Sequence, residues 1–406
     1  MVSLFKKTLR KRASFSKRPL VPLSGPSFSG QTRDNGWKPV RLDKTITFIC
    51  FAFVLVGLIF TYSSSAFDSS SFFIRQVIFD TMGLIAAAFL SQMYLRLQKM
   101  WIFRPIHLMY VTWVFLVIVL FSRTQANVHR WIDFGFFKLQ PSEIAKVTLV
   151  IYMSYYLESV AGHLAKNWRL LIQPFCVAGI TLGLILAERD LGTPILMGSV
   201  FVVMLIVSGT RILHLVVPGI PIGLFVAYQI LFVKYRRDRL FSFLNPFAQE
   251  GTVGYQLSRS LLAVSSGGWL GKGLGNSELK LEYLPAAHTD FIFSIMCEEL
   301  GLFRISFILG GFCWLLIRGI SLARVAKTHA HALLIFGLTI TICLQAFFNM
   351  AMAIGLLPTK GIALPFFSYG GSSVIMTLVM IGIILNVAGT DNPQQNLQND
   401  FNRRNR

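Results

Sequence analysis

Apolar residues along this chain gather into long uninterrupted runs. These cover positions 45–66, 73–95, 105–122, 142–162, 170–187, 191–209, 212–233, 290–320, 331–356 and 371–389. A helix needs about 17–25 mostly apolar residues to cross the hydrocarbon core of a bilayer, and most of the runs reach that length. Irregular backbone in lipid would leave polar groups unpaired, so each run is predicted to be helical. The expected fold class is all-α, a polytopic membrane protein with about ten transmembrane helices and one large extracytoplasmic loop. The 290–320 run exceeds one crossing and is expected to begin outside the hydrocarbon.

Composition points the same way. Of 406 residues, 54% are hydrophobic and 14% charged, against about 45–50% and about 25% in soluble domains. This excludes a soluble enzyme and a disordered tail protein. The 38 Lys and Arg outnumber the 18 Asp and Glu, for a net charge of +20. In a soluble chain such a balance would suggest nucleic acid. In a membrane protein the cytoplasmic loops account for it, and no nucleic-acid partner is expected. With both termini in the cytoplasm, 23 Lys and Arg fall inside and 13 outside, seven of the latter in the loop 234–289.

Residues 1–44 hold eleven Lys and Arg and two Asp, with scattered Pro, Ser and Gly. They lack the apolar stretch and cleavage site of a signal peptide. They read as a disordered basic cytoplasmic tail, drawn to anionic lipid at about 1 kcal/mol per basic residue near the surface. The expected organisation is this tail, a transmembrane domain over 45–390, and a cytoplasmic C-terminal tail over 391–406. Cys50, Cys176, Cys297, Cys313 and Cys343 lie in apolar runs with neither metal-site spacing nor a disulfide framework.

Ionisable residues within or at the edge of spans are costly and therefore candidates for function. Asp290 lies where the large outer loop meets the eighth run, and reads either as a helix cap or as a partly desolvated general base. Glu298 and Glu299 lie deeper on the same run. They face either a cavity or a cation such as Arg304, or form a buried network fixing helix packing. Glu143 follows Pro141 in a first helical turn, where an acid suits the macrodipole, and Lys146 is on the same face three residues later. Together with Arg130, these are either a structural pair or cationic groups turned towards an anionic substrate. Glu188-Arg189-Asp190 is expected to be a solvated outer turn. Lys360 is the strongly charged residue of the last outer loop, and Ser368 opens a hydroxyl-rich entry to the last span. The stretch 267–275 is glycine-rich, but no strand precedes it and no GKS or GKT ending follows, so it is neither a dinucleotide fingerprint nor a P-loop. An outward-facing cationic cavity with an acid at its lip suits two classes, a membrane enzyme acting on an anionic lipid-linked substrate or a flippase or transporter. The large loop ending in an acid favours the enzyme, and no paired repeat of transporter type is visible.

At these residues the chain resembles the SEDS (shape, elongation, division, sporulation) family of bacterial cell-wall polymerases. The resemblance runs from about residue 45 to 390. It is carried by Arg130-Trp131-Ile132-Asp133, Gln140-Pro141-Ser142-Glu143, Asp190-Leu191-Gly192-Thr193, Gly254-Tyr255-Gln256-Leu257 and Gly271-Lys272-Gly273-Leu274-Gly275-Asn276. It continues through Lys280-Leu281-Glu282-Tyr283-Leu284-Pro285, His288-Thr289-Asp290-Phe291, Glu298-Glu299-Leu300-Gly301, Gln345-Ala346 with Asn349, Pro358-Thr359-Lys360-Gly361 and Ser368-Tyr369-Gly370-Gly371. The Pro358-Thr359-Lys360-Gly361 form is similar to the cell-division branch. Departures stand at Glu188, Arg189, Arg259 and Arg304.

The resemblance implies polymerisation of lipid II into glycan strands at the outer face of the inner membrane, with undecaprenyl diphosphate released. It implies Asp290 as the essential acid, here a general base. It implies substrate contacts at Arg130, Glu143, Lys146, Lys360, Glu298 and Ser368. It implies a class B penicillin-binding protein, the division transpeptidase, and other division proteins as partners. Leaving-group charge would fall to the cations, with a divalent ion (Mg or Mn) as the candidate cofactor. The alternative reading is a lipid II flippase.

Overall fold

A computed structural model describes residues 39–65, 70–122, 130–135, 138–164, 167–232, 237, 241–244, 246, 254–277, 290–359 and 361–391. Lys360, His288, Thr289, both tails up to residue 38 and beyond 391, and parts of 234–289 lie outside the described residues.

Each of the ten apolar runs is helical. They form α1 (Lys44–Ser65), α2 (Ser70–Leu97), α3 (Pro105–Leu120), α4 (Pro141–Ser159), α5 (Ile172–Ala187), α6 (Gly192–Val207), α7 (Leu213–Phe232), α9 (Ile292–Val325), α10 (His329–Ala353) and α11 (Gly371–Asp391). The amphipathic α8 (Tyr255–Ser266) lies within the segment 234–289. Among the described residues, six helices are long and apolar enough to cross a membrane, and α3 and α6 are shorter apolar ones. The chain is a mostly helical, multi-pass membrane protein.

Local chemistry sets the ends. Proline opens α3 and α4 at the first helical position, where its missing N–H costs no helical bond. The Thr328 hydroxyl caps α10 by accepting the His331 N–H. One departure from an all-α chain is a minimal antiparallel ribbon of β1 (Ile132–Asp133) and β2 (Lys138–Leu139). The Asp133 carboxylate accepts the Gly135 N–H at 2.7 Å and closes its turn.

Among the six long spans α10 and α11 are the most buried, at 72% and 78% against 28–39% for the other four. Small residues bring the backbones together. Gly382 of α11 lies against Ala87 of α2 so closely that a Cβ would stand 2.6 Å from the Ala87 carbonyl oxygen.

The long α9 is broken at Gly301, which takes φ 72°, ψ 171°. In a continuous helix the Leu302 and Phe303 N–H groups would bond to the Glu298 and Glu299 carbonyls. Instead they donate to Gly268 and Trp269 at 3.0 and 3.1 Å. The two vacated carbonyls accept from Lys272 and Gly273 at 2.9 and 3.1 Å. The glycine-rich stretch after α8 is therefore a plug that re-satisfies a broken helix, as buried backbone requires. Gly271 and Gly301 lie back to back, and a Cβ on Gly301 would stand 2.2 Å from the Gly271 nitrogen.

Candidate active site

Asp290 precedes α9 by two residues and is half-buried. The helix is capped by Phe291 without a side-chain bond, so Asp290 is not its N-cap. Its backbone is tied down instead. The Asn349 amide, fully buried on α10, donates to the Asp290 carbonyl and to the Ile362 carbonyl, both at 2.8 Å. One side chain thus sets the spacing between the acid and the loop that joins α10 to α11.

That loop brings Gly361 to the acid. A Cβ built on Gly361 would stand 3.2 Å from Asp290 Oδ2 and 3.3 Å from Arg130 Nη1. A carboxylate and a guanidinium from positions 160 residues apart therefore border one bare backbone position. Arg130 is itself oriented from the α5–α6 turn. It pairs with Asp190 at 3.5 Å and donates to the Arg189 carbonyl at 3.3 Å. Asp190 in turn accepts the Gly192 N–H at 2.9 Å and the Thr193 hydroxyl at 2.7 Å, which fixes it at the start of α6.

A second polar chain runs from Lys146 to the same loop. Lys146 pairs with Glu143 at 2.7 Å and donates to Gln345 Oε1 at 2.6 Å. Gln345 passes its own N–H to the Ala363 carbonyl at 2.9 Å. Lys146 also heads an apolar cavity lined by Leu149, Met153, Met197, Val200 and Met204. The loop beyond Ala363 is rigid for packing reasons. Phe366 adopts φ 69°, and its ring and that of Phe367 stack about Phe53 at 5.6 and 5.3 Å. Such a left-handed non-glycine residue persists only where its surroundings enforce it.

The structure separates the expected site residues into two sets. Asp290 and Arg130 meet at Gly361, while Glu143 and Lys146 form a buried pair that reaches the same loop through Gln345. Two further residues expected to contact substrate are engaged within the protein. Glu298 is fully buried and accepts from Lys272 at 2.9 Å, Ser266 at 3.2 Å and Ser277 at 2.5 Å, so it anchors the plug. Ser368 is buried, and its hydroxyl accepts the Leu364 N–H at 2.7 Å, closing a turn. Arg304 does not serve Glu298. It is exposed and donates to the Leu270 carbonyl at 3.0 Å, because the break at Gly301 ends the helical phase that would have joined them. Glu299 takes the Ser63 hydroxyl at 2.7 Å.

The turn expected to be solvated exposes Arg189 but buries both of its acids. Glu188 and Asp190 are 0% and 1% exposed. Burial, with Asp190 nearby, pushes the Glu188 carboxyl up to about 9 against the opposing pull of Arg130. Three side chains carry more than the pattern of apolar runs had suggested. Asn349 and Gln345 are buried amides on an otherwise apolar helix, and that polarity was their signal. Asp80, buried on α2 and bonded to Gln76 at 3.1 Å, carried the signal of an acid within a span. Among the described residues, no cluster of three or more His, Cys, Asp or Glu is placed to hold a metal ion.

Similarity to known proteins follows the same residues. The family described as cell cycle protein, FtsW/RodA/SpoVE, matches residues 43–392. A probable peptidoglycan glycosyltransferase FtsW of Geobacter metallireducens is 38% identical over 360 residues, covering 86% of this chain and 95% of the relative. The corresponding protein of Coxiella burnetii is 34% identical over 359 residues, covering 85% and 96%. Among solved structures, a chain of a peptidoglycan synthase complex that coordinates polymerization and crosslinking superposes with a TM-score of 0.73 at 25% identity, covering 87% of this chain and 99% of that one. The rod shape determining protein RodA of Thermus thermophilus gives 0.65 at 25% identity, covering 86% and 97%.

Proposed function

The chain belongs to the FtsW/RodA/SpoVE family of cell cycle proteins, and on that premise we propose that it is a peptidoglycan glycosyltransferase of cell division that polymerises lipid II. The observation that carries the reading is the convergence of Asp290 and Arg130 on Gly361. In this reaction a sugar hydroxyl of one substrate attacks the anomeric carbon of another chain. The bond from that carbon to the diphosphate oxygen breaks, and undecaprenyl diphosphate leaves. Asp290 takes the proton of the attacking hydroxyl. Arg130 faces the charge that develops on the diphosphate, with Lys360 from the adjoining loop. Preorganised cations in a shielded site are worth more than in water because they need not reorganise. Lys146, neutralised by Glu143, acts by holding Gln345 and through it the loop.

In this reading both termini are cytoplasmic, the ten apolar helices all cross the inner membrane, and 234–289 is the outer loop. The protein works at the septum with a class B penicillin-binding protein, in keeping with its likeness to a chain of a synthase complex.

The test is glycan formation from purified lipid II, with and without the transpeptidase. Loss of a general base costs about 10²–10⁴-fold, so Asp290→Asn protein should insert and bind lipid II yet make almost no glycan. Asp290→Glu should recover little, since displacement by ~1 Å itself costs about 10²-fold. Substantial polymerisation by Asp290→Asn would rule out the base. Lipid II movement across vesicles that depends on Asp290, without any glycan, would favour the flippase instead.

A further inference from the structure

Glu188 ends α5 with a fully buried side chain. Neither carboxyl oxygen has a hydrogen-bond partner among the described residues. An ionised carboxylate left so would carry a large desolvation cost, whereas the neutral acid carries a far smaller one. Its neighbours explain why it is kept. Asp190 and Arg130 are the charged groups that act on it, and Arg130 is the guanidinium beside Asp290 and Gly361. Other elements packed on α5 add little. Helix α6 has no charged side chain, and α3 has only His107, near its start. Helix α4 brings Glu143 and Lys146, which pair with each other, and Glu158 near its far end. Arg169 precedes α5, at the end remote from Glu188.

We propose that Glu188 is a positioning residue of the glycosyl-transfer site: buried as a neutral acid next to the Arg130–Asp190 pair, it adds no charge there, so that Arg130 is shared by Asp190 and Asp290 alone and its remaining face stays available to the substrate diphosphate. A further carboxylate beside Asp190 and Asp290 would leave Arg130 over-neutralised and set an added negative charge next to the anion site. The inference rests on the role proposed for Arg130. The raised value of about 9 means that Glu188 holds its proton at neutral pH and gives it up in mild alkali. Anion binding should then weaken as pH rises through that range, and the weakening should belong to Glu188.

The experiment is equilibrium binding of undecaprenyl diphosphate to the purified full chain in detergent from pH 7 to 9.5, without turnover. A unit charge roughly 10 Å from the ligand at an effective dielectric of about 20 weakens binding about tenfold when fully developed. Partial ionisation at pH 9.5 should make the wild-type loss about threefold. Glu188→Gln and Glu188→Met cannot ionise, and each should keep a flatter profile relative to its own value at pH 7. Two neutral variants guard against one that fails to fold. Profiles of both variants that superimpose on the wild type would overturn the proposal, as would a wild-type profile that stays flat. Because binding is read without catalysis, a flatter profile in the variants supports Glu188 even if no glycan forms. Absent glycan would then count against the proposed reaction alone.

Discussion

Gly361 offers a wedge into the proposed site that touches neither reacting group by mutation. Its φ lies outside the left-handed region, and the nearest atoms to a Cβ there would be Asp290 Oδ2 at 3.2 Å, Arg130 Nη1 at 3.3 Å and the Asp290 carboxyl carbon at 3.9 Å. Alanine therefore carries no backbone penalty. It asks two side-chain ends to yield by a few tenths of an ångström. Valine adds branches that must push them about 1 Å, and a misplacement of that size costs about 10²-fold in rate, or about 2.7 kcal/mol of barrier. Gly361→Ala should lose under tenfold and Gly361→Val about a hundredfold. Displacement of the base should lower kcat, and displacement of Arg130 should raise KM for lipid II. The assay is polymerisation of purified lipid II at several concentrations, beside a thermal melt to show that the protein is folded. A well-folded Gly361→Val protein with wild-type kcat and KM would mean that the reaction does not occur between Asp290 and Arg130.

Gly301→Ala should be severely destabilising, because a Cβ would stand 2.2 Å from the Gly271 nitrogen at a φ of 72°. Its melt in detergent should fall well beyond the ~1 kcal/mol of an ordinary helix glycine change, and an unchanged melt would refute the plug. Glu188→Gln should stabilise the fold increasingly with pH. The native carboxyl titrates near 9 rather than at its ordinary 4.5, so between these values the folded state holds a proton that the unfolded state has lost. Wild-type stability then falls by up to about 1.4 kcal/mol per pH unit relative to the variant, and a constant gap from pH 5 to 9 would contradict this. Cysteine replacing the exposed Ser265 on α8 should react with an impermeant thiol reagent in intact cells, above the background of the native cysteines. Reaction only after permeabilisation would reverse the proposed orientation.

The helices were legible because hydrophobic length is a property of local sequence, and each apolar run became one. What periodicity could not convey is where a run stops being one helix. The pattern of α9 passes through Gly301 without change, since the break is stabilised by a loop some 30 residues upstream. For the same reason the cation for Glu298 was sought at Arg304, at helical reach, when it is Lys272 on the plug. Glu188-Arg189-Asp190 looked solvated because three charges in a short turn usually are. Its two acids are buried, and Asp190 is paired with Arg130, which arrives from a segment some 60 residues away. Asp290 was ambiguous from its neighbours alone, a cap or a base, and only the helix start at Ile292 removes the cap.

The dependence of the site on α10 follows from the same geometry. Asp290, Arg130 and Gly361 all lie in segments outside regular helix, where position is least determined by local bonding. Two amides on the innermost face of α10 supply that determination. Asn349 holds the backbones on either side of the opening, Asp290 and Ile362. Four residues earlier, Gln345 holds Ala363 and is itself held by Lys146. Residues four apart share a helix face, so one rigid stripe sets the acid, the loop and the lysine pair together. A buried amide in an apolar helix costs stability unless its bonds are made. Here the amide N–H groups are satisfied by carbonyls of the neighbouring non-helical segments. Folding of the bundle and assembly of the proposed site are therefore one event, and a change that tilts α10 moves the base and the loop together.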